Sequence, residues 1–252
     1  MLKSHTKFLN KRELIIPGGR TEMMFNLSDA VHWIDSKDFS PRTFQGAYLL
    51  GPRNRHFFVE HTGKVDLVGV RFRHGGLSAF TPMPMHMLMN EIVSQDQLFG
   101  NEVDILTCRL SACREVKQQA NLIESFLVRQ FQFEPGTSQT IQLIAEVKKC
   151  ESLSSLKNLT EKTGVHYKKL ERVFSQYTGY NPKNFTRVIR FYKALRQMQN
   201  PAHSLTGVGL DNGYYDQPHF VRDFKAFTGK SPTQFQLENP TIANLLLRSE
   251  HV

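Results

Sequence analysis

The residues best suited to bind a partner lie in one segment near the C-terminus, GYYDQPHFVRDFKAFTGKSPTQF (213–235). Phe220, Phe224 and Phe227 have helical spacing and form one apolar stripe. Before and between them lie side chains that can donate or accept hydrogen bonds: Gln217, His219, Arg222, Asp223 and Lys225. The pattern predicts a helix that buries its aromatic face and offers a polar face to a partner.

The ends of this helix are marked by capping residues. Asp216 is a good N-cap, and Pro218 falls in the first turn, where a missing N–H costs little. Gly229 followed by Pro232 is a typical helix end. The expected helix therefore runs from about residue 217 to about residue 228.

The same pattern occurs twice, in residues 155–185 and 204–235. Thr-Gly-x-x-Pro-x-x-Phe ends both copies, at Thr178 and at Thr228, and the matching positions are 50 residues apart. Each copy reads as a short helix, a glycine turn and a longer helix, which is a helix-turn-helix unit. Residues 182–199 between the copies predict one long helix.

Close packing of the two helices in such a unit needs a small residue four positions before the turn glycine. Gly209 and Gly213 meet this need in the second unit, whereas Thr160 and Gly164 meet it less well in the first. His166 is also a poorer N-cap than Ser.

Residues 140–237 resemble the DNA-binding domain of the AraC/XylS family of transcriptional regulators. The second unit fills nearly every fixed position of the family signature G-[FY]-x-D-Q-x-x-F-x-R-x-F-K-x-x-x-G-x-x-P-x-x-[FY]. The segments PGGRTEMMFNLSD and VGVRFRHGGLSAF are similar to an uncharacterised sensor-like domain that precedes such DNA-binding domains. The resemblance implies double-stranded DNA as partner, with the second helix of each unit in a major groove.

In the second unit, the resemblance places Gln217, Pro218, His219 and Arg222 at the groove. Arg222 suits guanine and Gln217 suits adenine; the alternative for Arg222 is a salt bridge to Asp216 or Asp223. His219 either contacts DNA or supports the fold. Lys225, with Lys183, Arg187 and Lys230, is a candidate for phosphate contact or for solvated surface.

The equivalent outer positions of the first unit are Tyr167, Lys168, Lys169, Glu171 and Arg172. Glu171 could accept a hydrogen bond from cytosine, or it could pair with Lys168 on the helix surface. Lys168 and Lys169 are better suited to phosphates than to bases.

The N-terminal half predicts a different architecture. Short alternating runs separated by turn residues favour an antiparallel barrel or sandwich up to about residue 80, and VEHTGKVDL suggests a hairpin with Thr62-Gly63 at its tip. Residues 85–99 and 101–133 have helical spacing, and residues 133–139 are the best linker. We expect an α+β protein: a β-rich sensor or dimerisation domain with C-terminal helices (1–135), an all-α double helix-turn-helix domain (138–237) and a tail (238–252).

Composition limits the remaining functions. The net charge is +9, and residues 151–237 hold 13 Lys and Arg against 6 Asp and Glu, which favours a polyanionic partner. An apolar run long enough to span a membrane and a secretory leader are absent, and three cysteines form no C-x-x-C pair, so a cytoplasmic protein is expected. Catalytic motifs are also absent, so we expect no enzyme.

The histidines of the strand region lack metal-ligand spacing, and we expect neither a metal nor a cofactor. Arg71, Arg73 and the Gly75-Gly76 amides could hold an anion, although a basic edge strand closed by a turn is the more ordinary interpretation. A homodimer is expected, with a small-molecule effector and RNA polymerase as further candidate partners. Two alternatives stay open: a β-barrel enzyme with a DNA-binding appendage, and a non-specific DNA-binding protein.

Overall fold

The structure is a computed structural model, and it describes residues 2–4, 12–132, 137–150, 153–200 and 203–238 of the 252-residue chain. The first part is built on β-strands and the second is helical, so the α+β class is confirmed. The tail expected at 238–252 lies outside the described residues, apart from Glu238.

The described strands form one antiparallel sheet. They are β1 (Leu2–Ser4), β2 (Arg12–Ile15), β3 (Glu22–Asp35), β4 (Pro41–Leu50), β5 (Phe57–His61), β6 (Val65–Arg71) and β7 (Ile92–Ser94). The order β1-β6-β3-β4-β7 is extended by β5, which pairs with β3 and with β2. The described strands leave the sheet open, because β1 and β7 at its two ends do not pair with each other. The expected β-rich body is present, but a closed barrel is not formed.

The long strand β3 organises the sheet. Its first half pairs with β6 and its second half with β5, while β4 follows the other edge over both halves. Because β5 and β6 lie end to end along β3, they do not form the expected hairpin. The Thr62-Gly63 interruption instead faces an irregularity in β3, where Thr62 donates to the Ala30 carbonyl (2.6 Å) and the Lys64 N–H donates to Asp29 (2.7 Å).

Helices follow the sheet in the chain. They are α1 (Asp96–Phe99), α2 (Glu102–Ala112), α3 (Val116–Gln130), α4 (Thr137–Lys149), α5 (Leu153–Thr163), α6 (Tyr167–Thr178), α7 (Pro182–Gln197), α8 (Leu205–Asp211), α9 (Gln217–Thr228) and α10 (Pro232–Glu238). Helix α4 begins inside the predicted linker, whose residues 133–136 lie outside the described chain. The domain boundaries drawn around that linker stay predictions.

The helical spacing of residues 85–99 predicts a helix that the structure does not have. This segment holds a short 3₁₀ helix (Met85–Leu88), strand β7 and the four-residue α1. Asn90 interrupts any helix with a φ of 59°, in the left-handed region, and its side-chain oxygen accepts from the Asn54 N–H at 3.0 Å. Pairing of β7 with β4 therefore overrides the local periodicity.

Two of the hydrophobic clusters determine how the site is supported. In one, Met23, Phe25 and Leu49 of the sheet pack against α2 and α3. In the other, Leu14 and Ile16 of the β-rich body pack into the core that is formed by the helices from α4 to α10. The helix-turn-helix units are therefore packed directly on the β-rich body.

The turn between α6 and α7 packs closely against the β-rich body. Tyr180 is buried, and its hydroxyl donates to the main-chain carbonyl of Arg53. A Cβ at Gly179, whose φ is 78°, would lie 2.7 Å from the Pro52 side chain. His74 meets the ring of Phe185 edge-on at 5.2 Å.

Replacing Tyr180 with Phe should destabilise the protein by about 1–3 kcal/mol, because the buried Arg53 carbonyl would lose its donor. Urea unfolding followed by circular dichroism measures the loss. Tyr215→Phe is the matched control, since Tyr215 is 89% exposed and should change stability by less than about 0.5 kcal/mol. Equal effects of the two variants would contradict a structural role for this hydrogen bond.

Stability should also fall as the pH drops below about 6.5. Burial, together with the charges of Lys148 and Arg20, lowers the pKa of His74 to about 3. Above pH 6.5 this residue is neutral in both states; below it, the unfolded chain takes up the proton first and is favoured. At pH 5 the cost from His74 is about 2 kcal/mol.

The measurement is urea unfolding at pH 7.5 and pH 5 for wild type and His74→Gln. The variant should lose less stability between the two pH values, whereas His86→Gln, at an exposed site, should behave as wild type. A His74→Gln protein with the wild-type pH dependence would refute this assignment.

Candidate nucleic-acid interface

The second helix-turn-helix unit, α8–α9, has both N-caps in place. The Ser204 side chain accepts from the Gly207 N–H (3.1 Å), and Asp216 accepts from the His219 N–H (2.7 Å). Pro218 lies in the first turn of α9, and Gly229 ends that helix with a φ of 74°. The predicted boundaries of this helix are confirmed.

Gly209 lets the two helices of this unit approach closely. A Cβ at this position would lie 3.3 Å from the Cβ of Phe220, which is tighter than nearly all real contacts of this kind. Phe220, Phe224 and Phe227 are all buried, as their spacing predicts. The first unit has the larger Thr160 at the matching position, and its hydroxyl turns back to donate to the Lys157 carbonyl (2.7 Å).

The outward face of α9 carries the predicted contact residues. Gln217, Pro218, Arg222 and Lys225 are exposed. His219 is half-buried: its ring packs edge-on against Tyr214, and its Nδ1 lies 3.4 Å from the Tyr215 N–H. Of the two interpretations of His219, its contacts support the structural one.

Asp223 points the opposite way, into the protein. It is 5% exposed, and its carboxylate accepts from Arg187 Nε (2.8 Å) and lies 3.5 Å from Arg190 Nη2, both on α7. The two guanidinium groups also cover aromatic rings, Arg187 on Phe227 at 4.9 Å and Arg190 on Tyr214 at 4.5 Å. These arginines connect α7 to α9, a role that the sequence patterns did not reveal because the partners are more than 30 residues apart.

Arg222 is left available by this arrangement. Among the residues that the structure describes, none forms an ion pair with it: Asp223 is engaged by α7, and Asp216 caps the helix. The salt-bridge alternative for Arg222 is therefore not seen.

The first unit, α5–α6, presents a comparable surface with a weaker start. The His166 side chain makes no capping hydrogen bond, as expected. Burial and the nearby Glu171 raise the pKa of Tyr167. Glu171 is half-buried and does not pair with Lys168 in the described structure. The remaining predicted contact residues of this helix are exposed: Tyr167, Lys168, Lys169 and Arg172.

Other basic residues divide between surface and structure. Lys183 is exposed, whereas Lys230 pairs with Glu238 of α10. In the 71–76 segment, the Gly76 N–H donates to the Arg73 carbonyl (2.7 Å), so this amide serves a turn and not an anion.

The described residues contain no cluster of three His, Cys, Asp or Glu able to hold a metal ion. No helix among them is long and apolar enough to cross a membrane.

Comparison with known proteins places the two halves. Residues 159–238 match a family model described as a helix-turn-helix domain, and residues 1–94 match a domain of unknown function, DUF6597. The chain carries an AraC-type helix-turn-helix domain. The solved structure of ToxT from Vibrio cholerae superimposes with a TM-score of 0.53 at 10% identity, covering 92% of this chain and 98% of that one. At this identity the match shows a shared fold.

Curated relatives match by sequence over less than half of this chain. An uncharacterized HTH-type transcriptional regulator of Staphylococcus aureus (strain MSSA476) is 27% identical over 97 residues, which is 38% of this chain and 13% of the relative. An uncharacterized HTH-type transcriptional regulator of Haemophilus influenzae is 26% identical over 118 residues, 47% of this chain and 39% of the relative. The alignments thus cover well under half of each relative's length.

Asp223→Asn should destabilise the protein by about 1–3 kcal/mol, because two arginines lose their carboxylate partner. The preferred DNA sequence should stay the same, since Asp223 faces away from the contact surface. The matched control is Asp211→Asn, which keeps an oxygen for the Gln197 amide at an exposed site. A changed base preference with unchanged stability in urea unfolding would show instead that Asp223 reads DNA.

Proposed function

We propose that this protein is a sequence-specific DNA-binding transcriptional regulator that places α6 and α9 in successive major grooves. One observation carries the proposal. Arg222 is exposed on the outward face of α9 and forms no ion pair with any residue that the structure describes, while Arg187 and Arg190 of α7 are held by Asp223. The exposed Arg222 is thus distinguished from the two arginines of α7, which hold that helix to α9.

The outward residues of α9 have distinct expected roles. Arg222 suits bidentate pairing with guanine O6 and N7, and Gln217 suits adenine N6 and N7, each worth about 1–3 kcal/mol of discrimination. Lys225 at the other end of the face suits a phosphate. Pro218 adds an apolar contact near the helix start, and His219 supports the turn more than it reads.

Helix α6 would contribute the second half of the site. Glu171 suits a hydrogen bond from cytosine N4, and the lack of an ion pair between Glu171 and Lys168 in the described structure supports this role. Lys168, Lys169 and Arg172 extend into solvent and suit phosphates, which set affinity and salt dependence without selecting sequence.

The linking helix α7 would hold the two recognition helices, α6 and α9, in a fixed relation. Its N-terminus is fixed by Asn181, which accepts from the Asn184 N–H at 2.7 Å, and it is buried along one face between the two helix-turn-helix units. Two recognition helices at fixed separation suit an asymmetric site of about 20 base pairs, with reading positions one turn, about 34 Å, apart.

The β-rich half would supply regulation. An open apolar groove of about 620 Å³ between β6 and α3 has the size and character of small-molecule sites and supports an effector role for this half. Dimerisation through this half and contact with RNA polymerase are expected by analogy with AraC-type regulators. The helix-turn-helix match supports a non-enzymatic role for the chain.

The test is selection of bound sequences from random duplexes by full-length protein, Arg222→Ala and Glu171→Ala. Wild type should enrich one asymmetric motif. Each variant should lose base preference at a different position of the DNA motif, and the two positions should be about one helical turn apart. The expected loss of discrimination at the affected base is roughly 5- to 150-fold. Arg109→Ala, at an exposed site on α2, is the matched control and should keep the full motif.

Other outcomes would select the alternatives. If only Arg222→Ala changes the base preference, α6 contacts the DNA backbone and does not read bases. Binding that only weakens with salt, with no motif enriched, would replace the proposal with non-specific DNA binding.

A further inference from the structure

A small cavity lies where the β-rich body meets α7. Its volume is about 20 Å³, and Arg20, Glu22, Arg53 and Arg71 of the body and Tyr192 of α7 line it. A volume of about 10–15 Å³ suffices for one water molecule, so the cavity has room for one water or one monoatomic ion.

Arg53 is the unusual member of this lining. Its side chain is 3% exposed, and Nη2 reaches Glu22 Oε2 at 3.3 Å. Nε and Nη1 are buried and have no hydrogen-bond partner among the described residues. A buried guanidinium whose N–H groups have no acceptor is destabilising, so an acceptor is strongly favoured there.

Among the described residues, those that line the cavity carry more positive than negative charge. Glu22 is the single carboxylate of the lining, and it is shared between Arg53 and Arg71, whose Nε donates to it at 2.7 Å. Burial alone would raise the pKa of Glu22, but the charges of Arg53 and Arg71 lower it, so the carboxylate is ionised. Burial, with the charges of Lys148 and Arg20, lowers the pKa of His74 on the same interface.

We propose that this cavity is a binding site for a monoatomic anion of about the size of chloride, which accepts hydrogen bonds from Arg53 Nε and Nη1. Charge-assisted hydrogen bonds of this kind are about twice as strong as neutral ones, which favours an anion over water. Larger anions such as acetate or phosphate exceed the available volume.

An anion here would join the two halves of the protein. The main-chain carbonyl of Arg53 accepts from Tyr180 at the start of α7, and Tyr192 of α7 forms one wall of the cavity. Neutralising the guanidinium would therefore strengthen the contact that positions α7. This proposal does not depend on DNA binding and is tested without DNA.

The first experiment locates the ion. Crystals of the full-length protein grown in sodium bromide should show an anomalous peak within hydrogen-bonding distance of Arg53 Nε or Nη1. A featureless cavity, or a water in place of the peak, would overturn the proposal.

The second experiment measures thermal unfolding at constant ionic strength while sodium chloride replaces sodium isethionate, whose anion is too large to enter. The unfolding midpoint of the wild type should rise and saturate with chloride. Glu22→Gln should reach half-saturation at about tenfold lower chloride, because it removes the competing carboxylate but no donor. Arg53→Met should lose the effect, and Arg42→Met, at the exposed Arg42–Glu91 pair, should keep it.

The Glu22→Gln arm keeps the test decisive if Arg53→Met does not fold. Identical midpoints in chloride and isethionate for both wild type and Glu22→Gln would overturn the proposal. Acetate as effective as chloride would overturn the assignment to a monoatomic ion.

Discussion

Arg187 and Arg190 of α7 converge on the carboxylate of Asp223, which lies on the buried side of α9. A buried carboxylate without its partners is costly, so the two helices cannot slide or rotate independently. The aromatic rings beneath the two guanidinium groups fix their directions as well. Arg222 and Asp223 are neighbours about 100° apart around the helix axis. Because Asp223 fixes the rotation of α9, it also fixes the direction in which Arg222 points. The availability of Arg222 is thus a consequence of an ion pair in which it takes no part.

The first unit is held by a different constraint. The position equivalent to Asp223 is Val173, so no carboxylate ties α6 to α7 in this way. The end of α6 is instead pressed against the β-rich body, where Gly179 meets Pro52 and Tyr180 donates to Arg53. The second unit also touches the body, through Gly229 and His56, but its orientation has an anchor of its own. The direction of α6 therefore depends on the β-rich body more than that of α9 does.

Local signals predicted the second unit well because they act within a few residues. The caps at Asp216 and Gly229, the Phe stripe and the small Gly209 all concern neighbours on one helix or across one turn. What the sequence could not give rests on distant partners. The Asp223 ion pairs span more than 30 residues, and β5 and β6 form no hairpin because both pair with β3. A Thr-Gly pair marks a turn and a strand interruption equally well.

This asymmetry has a consequence for how a signal could travel. A ligand in the β-rich body affects DNA binding only if it favours one arrangement of the reading helices over another. Helix α9 is capped at Asp216 and anchored to α7 through Asp223, so its orientation is largely set by these two contacts. Helix α6 lacks a side-chain cap at His166, and its C-terminal end packs against the β-rich body at Gly179. A change in the β-rich body therefore reaches α6 more directly than α9, through contacts such as the hydrogen bond from Tyr180 to Arg53.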